Sequence, residues 1–478
     1  MFTARQTLLC SLLAASALAA QPVMAANDAM IQLLKVLKDK GTLDKDTYEA
    51  LVNAAKADDE HVQFTEDSVK QAQKESPKID TKEKLKISSP DGDFEWQLVG
   101  RVQGDYNFVE SDRNPMGSGA QLRRARLGMQ GKMWGNWLYK FEWDFPSNQA
   151  KDAFVGYKGD NWWLKAGQQN LPFGLVTLSS DNYTLFTERP LLGEKLQDEY
   201  EMGISAFMHG DKLWTLQAGL FAGPWDFRPG NNSAQSQSTN CSATAGCSEQ
   251  INVAVRGTFN PYMRGPSKLL HLGGAFWYRD PQDTALNVQA KAGRFDVGPN
   301  VLDLNNYITR PVGTTFRTTV DRIYAENVEA LGIWDRFHVQ GEYTHWLVDR
   351  KAALPDVDLN GWYVEAGYFL TPDSMNFKPE DGAWSGVKPH AAVGKGGWGA
   401  WQIAARYDTL DLNDRNAGVV GGEEESFSAG VNWYVNNNMR FMADYIKVLN
   451  IATRGSVNTA RFNGDEPSAF VVRGQVNW

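Results

Sequence analysis

The residues in this chain best suited to chemistry are basic, and they are concentrated. The run Gln121-Leu122-Arg123-Arg124-Ala125-Arg126-Leu127-Gly128-Met129-Gln130-Gly131-Lys132 carries three guanidiniums and an ammonium in one extended segment. A guanidinium fork matches two oxygens of a phosphate in bidentate fashion and stays charged, whereas a lysine acts as a movable point charge. Rings of such groups are how pores select anions. In a strand, parity places Arg124, Arg126, Gln130 and Lys132 on one face and Leu127, Met129 and Met133 on the other. Arg123 falls on the wrong face, so either it lies beyond the spanning part of the strand or a bulge turns it inward. In other segments the same parity puts Arg101, Lys140, Lys165, Arg256, Arg317, Arg406, Arg440 and Arg473 on polar faces. Asp105, Glu142, Asp144, Glu342 and Asp444 share those faces. Two readings follow for each arginine: a ligand along an anion path, or a partner of a carboxylate that braces a wall.

The elements that must position these side chains are strands. Alternation begins near Asp93 and continues to the last residue. Trp137, Tyr139, Phe141, Trp143 and Phe145 alternate with Lys140, Glu142 and Asp144. At the end of the chain, Phe470, Val472, Val476 and Trp478 oppose Arg473, Gln475 and Asn477. A dry core cannot hold charges in series without partners. The inverted arrangement is economical: the aromatic face meets lipid and the polar face meets a water-filled lumen. Sixteen such segments lie between 93 and 478, the tenth and eleventh at 314–328 and 332–348. The fold expected is all-β, a 16-stranded antiparallel transmembrane β-barrel with a short N-terminal helical segment. Closure follows because a bilayer tolerates no unpaired strand edge.

Short turns fall at Trp134-Gly135, Gly159-Asp160, Gly210-Asp211 and Asn436-Asn437, and long connections at 109–119, 170–199, 223–249, 280–313 and 449–467. Segment 371–397 is long yet falls on the short side. The connection 170–199 is the natural candidate for a loop folded into the barrel, in which case Arg189 or Lys195 joins the constriction. The run Glu423-Glu424-Glu425 is read as an outer loop, solvated or held against lipid headgroups by divalent cations.

Three regions precede or form this wall. Residues 1–25 read as a secretory signal, with Arg5, the apolar stretch Leu8–Ala20 and a small-residue site at Val23-Met24-Ala25. Residues 26–90 form a periplasmic helical segment and linker, with helical spacing at Ile31, Leu34, Leu37, Tyr48 and Leu51 around a break at Gly41. A short coiled coil between subunits, a solvated tail or a tether to the cell wall are all open for it. Residues 91–478 form the barrel. Cys241 and Cys247 are expected to close a small loop disulfide in an exported chain. No second cysteine pair or nearby histidine supports a metal, and no cofactor is expected.

Other function classes are disfavoured. A net charge of −9 argues against a general nucleic-acid binder. No apolar run of about 18 residues outside the N-terminus offers a membrane helix. The six histidines, at 61, 209, 271, 338, 345 and 390, lie in no recognisable nucleophile motif, so an enzyme is not expected. A sugar porin would use tryptophan faces, but Trp96, Trp137, Trp143, Trp401 and Trp433 fall on the lipid side. A general, weakly selective porin stays open.

The chain resembles the phosphate- and polyphosphate-selective porins, the porin O and P family. The resemblance rests on Arg123-Arg124-Ala-Arg126-Leu-Gly, Tyr139-Lys140-Phe-Glu142-Trp-Asp144-Phe and Tyr363-Val-Glu365-Ala-Gly-Tyr-Phe-Leu370. It extends to Ala405-Arg406-Tyr407-Asp-Thr-Leu-Asp411-Leu-Asn413-Asp414 and Val431-Asn-Trp-Tyr-Val-Asn436. What it implies is a homotrimer of barrels in the outer-membrane lipid. Each barrel would pass phosphate, pyrophosphate or polyphosphate by an inward-folded loop, guided by arginines and narrowed at lysines. The pair Arg123-Arg124 matches the family's basic pair at the constriction, which favours the bulge.

Overall fold

A computed structural model describes residues 23–222, 251–265, 267–281, 288–294, 298–312 and 315–478. Cys241, Cys247 and residues 1–22 of the expected signal lie outside the described residues.

The chain divides at Lys78 into two compact units. The first holds two helices, α1 (Val23–Asp39) and α2 (Lys45–Glu75). They pack through small apolar contacts, Leu34 and Ala55 being buried. Asp44 caps α2, its carboxylate accepting from the Thr47 backbone N–H at 2.8 Å. These hydrogen bonds hold the Asp44 carboxyl below its ordinary value.

The second unit is the barrel. Its wall begins with β1 (Glu95–Glu110), β2 (Gly119–Met133), β3 (Trp137–Asp144), β4 (Gln149–Lys158) and β5 (Trp162–Asn170). It continues through β6 (Tyr200–Gly210), β7 (Trp214–Phe221), β8 (Ile251–Met263), β9 (Lys268–Asp280), β10 (Val320–Trp334) and β11 (Phe337–Arg350). The last strands are β12 (Val357–Phe369), β13 (Ala400–Asp414), β14 (Val419–Tyr434), β15 (Met439–Ala452) and β16 (Ser468–Asn477). Each pairs antiparallel with its neighbour, and β16 returns to β1 from Ser468↔Glu110 to Asn477↔Arg101. The seam finishes at Trp478, which exchanges two backbone hydrogen bonds of 3.1 Å with Gly100. The indole lies where a Cβ on residue 100 would stand, so only glycine fits there.

Burial follows the inverted pattern. Arg124 and Arg126 are 4% and 3% exposed, whereas Leu127 and Met129 on the opposite face are 43% exposed each. Placing either arginine on the lipid side at mid-membrane would cost about 2–4 kcal/mol.

Among the described residues, three connections enter the barrel. Segment 171–199 buries Leu171, Phe173, Leu191 and Leu196, and the described residues between β9 and β10 bury Val301, Leu302 and Ile308. From the short-turn end, the exceptional connection 370–399 inserts a hairpin, Asn376–Lys378 paired with Ala383–Ser385. Its Phe377 and Trp384 pack with Leu269, Leu331, Ile333 and Phe369 on the wall.

That hairpin explains the largest departure from the expected strands. Leu331 and Ile333 face inward, where alternation calls for polar side chains, because inserted chain covers them. The turn therefore lies at Asp335, in the left-handed region at φ 53°, rather than at 329–331. Arg317 moves with it: it pairs with Arg310 in a two-stranded hairpin outside the wall, not on a lumen-facing strand. The glutamate run is also not a loop, since it lies within β14. Glu424 points inward and accepts from the Gly293 N–H at 2.6 Å, and Glu425 accepts from the Tyr407 hydroxyl at 3.0 Å.

Candidate anion path

The loop after β5 does fold inward, and its backbone explains how. Gly174 turns at φ 77° against the Gln197 side chain, a position without room for a Cβ. The turn delivers the Leu175 and Val176 N–H groups to the Glu342 carboxylate at 2.9 and 2.8 Å. Further along, Asp444 accepts from the Thr187 N–H at 2.7 Å, and Trp346 donates to the Leu196 carbonyl at 2.9 Å. Glu342 and Asp444 thus serve as anchors for a segment that crosses the lumen. Arg189 staples the loop to itself: it donates to the carbonyls of Val176, Thr177 and Ser179 and pairs with Asp181 at 2.8 Å. Lys195 is half-buried at the end of the short helix Leu191–Lys195.

The arginines of the near wall converge on two carboxylates of this loop. Asp181 takes Arg124 at 3.1 Å, Arg126 at 3.1 Å and Arg101 at 3.7 Å, besides Arg189. Glu188 takes Arg123 at 2.9 Å, Arg124 at 3.4 Å and Arg473 at 2.7 Å. Arg123 reaches it because a bulge sits there: Gln103 pairs with Arg124 and Gly104 with Leu122, leaving residue 123 unmatched and turned inward. Wall acids complete the set, with Asp105 on Arg473 at 2.6 Å and both Glu142 and Asp144 on Arg126 at 3.3 Å.

The charge count decides how this cluster is read. Among the described residues, Arg101, Arg123, Arg124, Arg126, Arg189 and Arg473 pair with Asp105, Glu142, Asp144, Asp181, Glu188, Glu194 and Glu199. Six guanidiniums thus face seven carboxylates, and the pairs tie the loop to the wall.

On the far wall the arginines are only partly matched. Arg256 grips Glu329 at 3.0 and 2.5 Å and donates to the Gly382 carbonyl at 2.8 Å, holding the inserted hairpin. Arg406 pairs with Asp408 at 2.9 Å, whereas Arg440 has no carboxylate within 4.0 Å among the described residues, donates to Asn432 at 2.7 Å and lies 4.7 Å from the Tyr434 ring centre.

The lysines differ from one another. Lys140 pairs with Asp152 at 2.6 Å. Lys165 lies 3.9 Å from the ring centre of Trp163 and 4.7 Å from that of Phe154. Within 4.0 Å of its ammonium the described residues present no carboxylate. Beside the loop, Lys140, Lys165, Arg101, Ser180, Arg189 and Asp381 line a cavity of about 440 Å³. A neighbouring cavity of about 260 Å³ shares Lys140 and Lys165 and adds Lys132. Of the basic residues expected to line a path, Lys132, Lys140, Lys165, Arg101 and Arg189 border this space, and Arg123, Arg124, Arg126 and Arg473 form the wall-to-loop lock. Sequence reasoning missed Lys151, which lies 5.4 Å over the Tyr200 ring, and Asp181, the centre of the lock. Neither has a local signal, since β4 begins earlier than its alternation suggests and Asp181 sits in an unpatterned loop.

A closed sixteen-stranded barrel with an apolar outer band, a polar interior and a loop across its lumen defines an outer-membrane porin. The family model for "Phosphate-selective porin O and P" matches residues 97–478, and the chain belongs to that family. Porin O of Pseudomonas aeruginosa is 27% identical over 83% of this chain and 91% of its own length. An uncharacterized protein of Caulobacter vibrioides is 30% identical over 74% of this chain and 68% of its own. Among solved structures, OmpT of Vibrio cholerae is similar in fold, with a TM-score of 0.50 at 11% identity, over 84% of this chain and all of that one. The protein is therefore a β-barrel channel of the Gram-negative outer membrane.

Proposed function

We propose that the channel conducts small oxyanions, phosphate or its condensed forms among them, along the lysine side of the lumen. The observation that carries this reading is Lys165, whose ammonium is held by ring faces and not by a carboxylate, beside Lys140 and Lys132. A ring face attracts the cation without cancelling its charge, so an ion entering the cavity, which Asp152, Asp181 and Asp381 also line, meets one ammonium that no carboxylate within 4.0 Å neutralises among the described residues. Arg123, Arg124, Arg126 and Arg473 act one step away, keeping the loop seated so that the cavity exists at all. Transport is passive: an anion exchanges part of its water for lysine donors and leaves down its gradient, which requires weak binding. In this reading the chain is a channel and not an enzyme, its first 25 residues are removed on export, residues 26–90 face the periplasm, and three barrels associate.

The test is the purified protein in a planar bilayer under a salt gradient, with phosphate then titrated into chloride. The wild type is expected to show an anion-selective reversal potential and a chloride current blocked by phosphate. Removing one charge about 4 Å from the ion in water is worth about 1 kcal/mol, or roughly fivefold in local occupancy. Lys165→Gln is expected to weaken phosphate block by about that factor. A cation-selective wild type, or block indifferent to Lys165→Gln, refutes the reading and leaves a general porin.

A further inference from the structure

Inward positions of a water-filled barrel are polar, and the departures from that rule here have a cause. Trp277 and Trp346 face inward but pack with Phe173 and Leu196 of the inserted loop, and Phe369 packs with Phe377 and Trp384 of the inserted hairpin. Phe154, Trp163 and Phe207 are different. They stand on the adjacent strands β4, β5 and β6, and all three line the 440 Å³ cavity with Lys140 and Lys165. Trp163 and Phe207 stack with centroids 5.1 Å apart and planes within 9°. Gln169 and Asn170 border the same space. An inorganic ion engages only the ammoniums of such a site, and the rings of Phe154 and Trp163 then serve only to hold Lys165. An anion that also carries a flat apolar group uses both.

We infer that this cavity is a subsite for organic anions bearing a planar apolar group, aryl phosphates and aryl carboxylates in chemical class, with Phe154, Trp163 and Phe207 as its specificity determinants. The inference rests on the anion-channel reading above. The anionic head takes the ammonium of Lys165 and shares that of Lys140 with Asp152, which lines the same cavity, and the ring lies against the aromatic wall. The probes are phenyl phosphate and methyl phosphate, equal in charge and different in the ring, each titrated against chloride current through the full-length protein. Aromatic contact beyond simple burial is expected to lower the half-blocking concentration of phenyl phosphate about fivefold relative to methyl phosphate.

Trp163→Leu and, separately, Phe207→Leu are expected to bring that ratio to about one. Leucine keeps the position apolar, and the heat-modifiable gel mobility of barrels reports whether each variant is assembled. Phe154→Leu provides a third variant should either of the first two fail to insert. Equal block by the two probes in the wild type overturns the subsite. A ratio that survives in the leucine variants overturns the assignment of residues. A cation-selective reversal potential, read before any organic anion is added, overturns the channel reading on which this one stands.

Discussion

Replacing Asp181 by asparagine tests whether the arginine cluster is a lock or a conduit. The carboxylate is buried and lies within 4.0 Å of Arg101, Arg124, Arg126 and Arg189. Breaking a buried ion pair by removing one partner costs about 3–5 kcal/mol, because the remaining charge is left buried and uncompensated. All four arginines keep another carboxylate, Arg101 and Arg126 on Glu142, Arg124 on Glu188 and Arg189 on Glu199, so the lower end applies. A loss of about 3 kcal/mol in the seating of the loop raises its unseated fraction roughly 150-fold. In single-channel records this is expected as frequent transitions to a larger conductance, with the wall strands intact by heat-modifiable mobility. If the guanidiniums were instead the ligands of the permeating ion, removing a neighbouring negative charge would raise anion selectivity and leave the trace quiet. A quiet, more selective channel refutes the lock.

Two further outcomes follow from other parts of the molecule. Gly100→Ala places a Cβ into the Trp478 ring and within 2.8 Å of the Arg126 carbonyl. Overpacking of this kind costs about 1–3 kcal/mol, and slower appearance of the heat-modifiable form during refolding is the measurement. In the helical unit, the Asp44 carboxyl is lowered from 3.8 by its bonds to Thr47. Capping by a depressed carboxylate is fully present above pH 3.8 and fades as pH falls through the lower folded value. Amide exchange in the first turn of α2 is expected to speed up below that point, and Asp44→Asn to remove the dependence on pH.

Much of this architecture was legible because a membrane barrel writes its two solvents into alternate residues. The parity of Arg124 and Arg126 against Leu127 and Met129 sufficed to place the wall, and the mismatch at Arg123 pointed to a bulge. Legibility failed where chain covers chain. Leu331 and Ile333 broke the alternation only because a hairpin from residues 376–385 lies over them, and no local signal announces that. Glu424 looked solvated for the same reason, its partner being a backbone amide at Gly293. Nor could the arginines be sorted from the lysines. Arg124 is separated from Glu188 by 64 positions in sequence and Arg473 by 285, so which cation is matched and which is spare depends on the closed fold.

The inserted hairpin has a consequence for size selection. Its Trp384 N–H donates at 3.2 Å to the hydroxyl of Ser179 in the loop that enters from the opposite mouth. Two segments threaded from the two ends of the cylinder thus meet inside it, and the gap beside them is bordered by loop as well as by wall. Strand number fixes the circumference but no longer the bore. Substitutions in residues 171–199 or 370–399 can alter which molecules pass while every rung of the surrounding ladder stays in place.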